Sequence, residues 1–206
     1  MSSHHFVKEQ QEPAVFILET DGISFDKIGP MLEWVPTVIV TEHSLEKVLS
    51  WGIKVDVLIS TEDFQSSHKN MLEEQYPLKF LQSESDAFLE NGIRYLLATD
   101  HFAAHLVGFD HSKFLDLHPL LEKINLTIID HDWKYYSVRH GKLSKWFMES
   151  TLRLLAKDDL PIQISSDSED RIVPNLYLTQ IEVPEGTTSL EAKEIFWIGE
   201  ELKAAR

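Results

Sequence analysis

Carboxylates recur just after the apolar runs of this sequence, and their placement is its clearest chemical signal. Glu62 and Asp63 follow Val55–Ser60, Asp86 opens a helical stretch after the short run Lys79–Leu81, and Asp110 follows Ala104–Phe109. If the runs are parallel strands, their carboxyl ends share one sheet edge and the acids converge on one cleft. Magnesium takes one or two such carboxylates and completes its shell with substrate phosphates and water. The chemistry to expect is phosphoryl or diphosphoryl transfer, where catalysis is largely positioning and charge neutralisation. The competing reading makes Asp86 a helix cap and leaves the other acids as solvated turn residues.

Ten histidines invite a different metal. His101 and His105 have the four-residue spacing of a helical zinc pair, but Phe-Ala-Ala between them supplies no glutamate base. The segment also runs into an expected strand, where that spacing does not bring side chains together. Asp-His occurs at 100–101, 110–111 and 130–131, each near a strand end, where loops collect both residue types for structural reasons. The sequence has no Gly-x-Gly-x-x-Gly after a strand, no Gly-x4-Gly-Lys-Ser/Thr loop and no Gly-x-Ser-x-Gly elbow. Rossmann cofactor binding, P-loop nucleotide binding and α/β-hydrolase chemistry therefore lack their usual signatures.

The elements that must position these residues follow from hydrophobic periodicity. Ala14–Leu18, Thr37–Val40 and Val55–Ser60 read as buried strands, with Lys79–Leu81, Ala104–Phe109 and Leu126–Ile129 after them. Between them, helical spacing covers Ile23–Trp34, interrupted or kinked at Gly29-Pro30, and His43–Trp51, closed by Gly52. A polar helix is expected over Ser66–Gln75. Another follows a Ser85 or Asp86 cap, with Phe88, Leu89, Ile93, Leu96 and Leu97 as its buried stripe and Gly92 weakening it. A further helical segment around Phe114–Leu121 is interrupted at Pro119. Thr61-Glu62-Asp63 is expected as a loop.

Strands alternating with helices up to residue 130 predict an α/β domain, a mainly parallel sheet with helices on both faces. After Asp130 the pattern changes to short strands at Tyr135–Arg139, Pro161–Ser165, Asn175–Val183, Thr187–Glu191 and Ile195–Ile198, separated by turn signals. Lys142–Ala156 fits one helix or two strands. The expected organisation is an α/β domain over 1–130 and a smaller all-β, sandwich-like domain over 131–206. A β unit of that size is expected to dock onto the first domain or onto another copy of the chain.

Composition narrows the partners. With 34 acidic against 19 basic residues and a net charge of −15, the chain has little material for the basic face of a nucleic-acid binder. No apolar run reaches the ~18 residues of a membrane span, and the first residues lack a signal-peptide pattern. The absence of cysteine rules out disulfide and thiolate chemistry and suits a cytoplasmic setting.

One family fits this order of features. Val38–Ser66 resembles the thiamine pyrophosphokinase segments Asp-Gly-Gly-Ala-Asn, Gly-Ile-x-Pro-Asp and Gly-Asp-Phe-Asp-Ser. In the gapless register Gly52-Ile53 and Asp56 match, Glu42 stands for the first aspartate, Asp63 matches the second aspartate of the last motif, and Thr61 replaces its first. A register shifted by two puts Asp63-Phe64 and Ser66 on that motif and loses the upstream match; in either register Asp63 is the aspartate kept. Residues 82–88, QSESDAF, are similar to Lys-Asp-x-Thr-Asp-x-Glu, with Ser85-Asp86 kept and Gln82, Ser83 and Phe88 departing. Gly108-Phe109-Asp110-His111 is similar to Gly-Arg-x-Asp-His, shortened and without the arginine. Asp116–Leu121 is similar to Asn-Leu-His-Leu-Leu.

The resemblance implies an ATP-binding α/β domain, a β-sandwich that helps to bind thiamine, and a homodimer. It implies Mg2+-dependent diphosphoryl transfer from ATP, the co-substrate, to thiamine. Asp63 and Asp86 would be catalytic. Asp63, Asp86 and Asp110 would hold magnesium, with Glu42, Asp110 and His111 toward the nucleotide. Trp133, Trp146 and Trp197 are the candidate aromatic platforms for thiamine. The missing acids make a non-catalytic relative that binds a nucleotide or heterocycle, or a dimeric scaffold, the alternative.

Overall fold

Runs of β-branched and apolar residues become five parallel strands in the first part of the chain. They are β1 (Ala14–Ile17), β2 (Val38–Thr41), β3 (Val57–Ser60), β4 (Lys79–Gln82) and β5 (Ala103–Val107). A computed structural model describes residues 12–69, 77–167 and 169–202. The five strands pair in the order β4-β3-β2-β1-β5, every pairing parallel. The central strands β1, β2 and β3 are buried along their whole length, which explains their continuous apolar runs.

The connecting helices are short. α1 (Phe25–Leu32) carries Pro30 inside it, and α2 (Leu45–Ser50) buries Leu45 and Val48 before the chain turns at Gly52. The expected loop at Thr61–Asp63 is instead a helix start. Thr61 is the N-cap of α3 (Glu62–Ser67), its hydroxyl accepting the Phe64 N–H at 3.3 Å. The remainder of the polar helix expected over Ser66–Gln75 reaches beyond the described residues. Asp86 does not cap the following helix. Ser85–Ala87 form a 3-10 turn, and α4 (Phe88–Ala98) follows with Ala87 as an N-cap that makes no side-chain bond. Gly92, expected to weaken α4, is what lets the helix pack: a Cβ there would lie 2.2 Å from the Phe16 ring.

The chain divides into two compact units. The first runs through Phe109 with Lys123–Asn125; the second comprises Asp110–Glu122 and the chain from Leu126. The expected boundary after residue 130 falls inside the second unit. That unit opens with a succession of 3-10 turns over His111–Leu120, which buries Phe114 and Leu117.

The rest of the second unit is antiparallel β-structure. One sheet contains β6 (Asn125–Asp130), β7 (Trp133–Val138), β14 (Phe196–Glu201), β9 (Ser150–Leu155) and β12 (Leu178–Val183), neighbours in that order. The other has the order β11 (Asp170–Pro174), β10 (Pro161–Ser166), β13 (Gly186–Glu191) and β8 (Lys142–Phe147). Lys142–Ala156 therefore resolves into two strands, and β11 is a strand that periodicity did not reveal. Alternate residues such as Leu152, Leu154, Ile162, Ile164, Leu190 and Ile198 fill one buried cluster, the interior of a sandwich. No helix among the described residues is long and apolar enough to cross a membrane.

Candidate functional site

In the first unit, Glu42, Asp63 and Asp86 each follow a strand of one parallel array: β2, β3 and β4. Parallel pairing of β2 with β3 and β3 with β4 puts these three strand ends on one edge. The side chains differ in how far they are already engaged. Glu42 Oε2 accepts the Thr61 N–H at 2.7 Å and the Thr61 hydroxyl at 2.9 Å. Where the related motif has an aspartate, Thr61 thus supplies two donors that satisfy the neighbouring carboxylate without a cation.

Asp63, in the first turn of α3, and Asp86, in the 3-10 turn after β4, are both exposed. Neither carboxylate has a hydrogen bond or ion pair with a described residue. A long contact from Gln82 Nε2 to Glu62 Oε2, 3.5 Å, links the ends of β4 and β3. Asp56, the other matching acid, is structural: its Oδ2 accepts the Val38 N–H at 2.9 Å and ties the entry to β3 onto β2.

Gly108 ends β5 at φ +75°, and a Cβ there would lie 2.0 Å from the Glu19 carbonyl oxygen. Only glycine allows that approach. His101 and His105 form no helical pair. His101 is buried just before β5 and hydrogen-bonds Thr37 Oγ1 at 2.9 Å and Thr99 Oγ1 at 3.0 Å; His105 lies within β5.

In the second unit, Asp110 and His111 come together with an acid that sequence reasoning did not select, Asp130. These three residues offer ligand atoms that all lie within 4.8 Å of one another, the one such group of three among the described residues. Asp110 caps the 3-10 segment through Oδ1, which accepts the Ser112 N–H at 2.9 Å. Hydrogen bonding from Ser112 holds the Asp110 carboxyl below its usual range.

Asp130, at the end of β6, accepts from His111 Nδ1 at 2.6 Å and from the His111 backbone N–H at 3.1 Å through one oxygen. Its other oxygen lies 2.6 Å from His131 Nδ1. Burial raises the Asp130 pKa, but the bonds from the two histidines outweigh it and hold the carboxyl well below the usual carboxylate range. The His111 ring stacks on Tyr135, with centroids 5.1 Å apart and planes at 9°. Tyr135 in turn accepts from Arg153 Nη1 at 3.1 Å, and the Arg153 guanidinium lies 3.9 Å from the Trp133 ring centroid. The repeated Asp-His dipeptides at 110–111 and 130–131 were the available signal; only the fold shows that the two dipeptides meet.

The three candidate tryptophans separate. Trp197 is fully buried, its indole N–H donating to His118 Nε2 at 3.2 Å, so it presents no face to a ligand. Trp133 is covered by Arg153. Trp146 is 54% exposed and lines a groove of about 1020 Å³ in the second unit, together with Tyr136, Lys145, Met148, Thr151 and Glu200.

No protein-family model matches the sequence, and no curated protein matches it. Solved structures do. The thiamin pyrophosphokinase from Geobacillus thermodenitrificans is similar with a TM-score of 0.69 at 10% identity, over 93% of this chain and 99% of that one. The enzyme from Bacillus subtilis gives 0.69 at 13% identity, over 93% and 100%. Yeast thiamin pyrophosphokinase gives 0.68 at 8% identity, over 97% and 89%. The parallel strand array and the β-sandwich thus recur together, over nearly whole chains, in several enzymes of one kind, and the fold of this chain is the thiamin pyrophosphokinase-family fold.

Proposed function

We propose that the chain is a thiamine pyrophosphokinase-like transferase that moves a diphosphoryl group from ATP to the hydroxyl of thiamine. The observation carrying this reading is the near-complete match of fold to thiamin pyrophosphokinases, joined to unengaged carboxylates at successive strand ends. Asp63 and Asp86 are the catalytic acids, Asp63, Asp86 and Asp110 the magnesium ligands, and Glu42, Asp110 and His111 the residues toward the nucleotide. The first unit is the nucleotide-binding part, the second helps to bind thiamine, and the working form is a cytoplasmic homodimer.

The donor chemistry fits the ion: Asp63 and Asp86 are exposed, unengaged carboxylates, the oxygen donors that magnesium takes one or two at a time. Magnesium, when bound, neutralises phosphate charge. Asp63 and Asp86 would hold that ion at the sheet edge, where its charge would offset their repulsion of the phosphates. Trp146 supplies an exposed aromatic face beside the groove, suited to an aromatic or cationic heterocycle.

One observation favours a second reading, a relative that binds such ligands without turnover. Glu42 is already satisfied by Thr61, so one acid of the related motif is engaged in structure. AMP release from ATP and thiamine, with and without magnesium, separates the two. The transferase reading expects magnesium-dependent AMP, reduced about 10²-fold or more in Asp63→Asn and Asp86→Asn. Absence of AMP in the parent, with a thermal shift by thiamine, would establish the binding reading instead.

A further inference from the structure

We propose that the open edge of β8, with the groove beside it, takes an extended basic segment of a partner protein as a fifth strand of the four-stranded sheet. The inference goes beyond the transferase reading and does not depend on it.

In the second unit β8 pairs with β13 alone and ends its sheet. In an antiparallel pair, residues that exchange hydrogen bonds alternate with residues that turn their N–H and C=O away. Gly141 stands opposite Ala192, whose N–H donates to the Gly141 carbonyl at 2.7 Å, so Lys142, Ser144 and Trp146 face the open side. Their backbone groups are a template for another strand.

The two sheets of this unit do not match in width: β12, β9, β14, β7 and β6 stand against β11, β10, β13 and β8. β11 lies over β12, where Arg171 Nη2 donates to the Glu182 carbonyl at 2.8 Å. On the other side β8 lies over β14 and β7, with Lys145 Nζ donating to Glu200 and 5.5 Å from the Tyr136 ring centroid. Among the described residues, β6 is left with no strand above it. The groove of about 1020 Å³ lies here, with Thr127 of β6 opposite Tyr136 of β7 on its floor.

The chemistry of the rim selects the occupant. Glu149, Glu182, Glu200 and Glu201 line the groove against Lys134 and Lys145. Lys145 is paired with Glu200, whereas Glu149 and Glu201 are exposed and have no bond or ion pair with a described residue. Basic side chains near the β8–β9 turn would meet these two acids. Trp146 and Met148, each 54% exposed, offer apolar surface to the alternate residues. Charges on an edge strand also serve to prevent pairing. Here both lysines of β8 are drawn away from the open edge, Lys142 by Glu191 of β13 at 2.9 Å and Lys145 by Glu200.

A fluorescein-labelled peptide of alternating valine and lysine, slightly longer than β8, is the probe. It is added to the full-length chain without nucleotide or thiamine, and binding is read by fluorescence anisotropy. Amide hydrogen exchange of the chain, followed by nuclear magnetic resonance, reads where it sits. The expected result is binding at micromolar peptide, with slowed exchange at Lys142, Ser144 and Trp146. A fully N-methylated peptide, which has no N–H to donate, and a peptide with glutamate for lysine should each bind at least about tenfold more weakly. Ser144→Pro removes one outward N–H and leaves the bonds to β13, so it should weaken binding about tenfold. Ser144→Ala should not.

No binding of the basic peptide at millimolar concentration overturns the proposal. So does binding that leaves those three amides exchanging as before, or equal binding of the N-methylated peptide. If the same amides are already protected in the chain alone, in step with a dimer in the ultracentrifuge, a second copy holds the edge and the proposal fails. These outcomes are read on the parent chain, so a variant that does not fold leaves the test intact. Peptide binding without AMP release keeps this inference and removes the transferase reading. AMP release without peptide binding does the reverse.

Discussion

Thr61 donates twice to a single oxygen of Glu42, from its backbone N–H at 2.7 Å and from its hydroxyl at 2.9 Å. Two consecutive strand ends are thereby joined by neutral donors at a place where the related motif carries opposed acids. Replacing Thr61 by aspartate removes the hydroxyl donor and sets a second carboxylate against Glu42. Thr61→Asp should lose about 1–3 kcal/mol of stability in chelator and recover part of it in millimolar magnesium. Thermal melts in both conditions check this, and equal melting with and without magnesium would sink it.

Gly92 faces the Phe16 ring at a distance that no side chain fits. Alanine gains about 1 kcal/mol of helix propensity at an exposed helical glycine. Here overpacking against β1 should outweigh that gain. Gly92→Ala is expected to destabilise the chain by about 1–3 kcal/mol, read as a lower urea midpoint; a raised midpoint would show that α4 can shift without loss.

Burial lowers the pKa of His118 below 6.5, and its Nε2 accepts the Trp197 indole N–H, a bond that protonation at this nitrogen removes. The unfolded chain takes up this proton near pH 6.5 and the folded chain only at lower pH. Unfolded chains thus hold more protons between those values, and stability falls as pH drops below about 6.5. Burial also lowers the pKa of His101, in the first unit, with the same sign. His118→Gln should flatten part of this fall. Urea midpoints at pH 7.5 and 5.5 measure it, and an unchanged pH dependence in the variant would exclude His118 as a source.

Apolar runs and helical spacing in the sequence determine the parallel array of the first unit and most strands of the second, because burying one face imposes a period on the chain. The same reasoning locates Asp63 and Asp86, since a strand's carboxyl end follows its last buried residue. The sequence left Lys142–Ala156 open, because a run buried in a sandwich and a helix stripe share the same apolar residues. Strand β11 stayed hidden because its pattern is mostly exposed. Only the tertiary structure decides that Glu42 is satisfied by Thr61, that Trp197 is core, and that Asp130 joins Asp110 and His111. Those outcomes depend on which strands become neighbours: Thr61 and Glu42 are 19 residues apart, as are His111 and Asp130, and local spacing carries no record of either meeting.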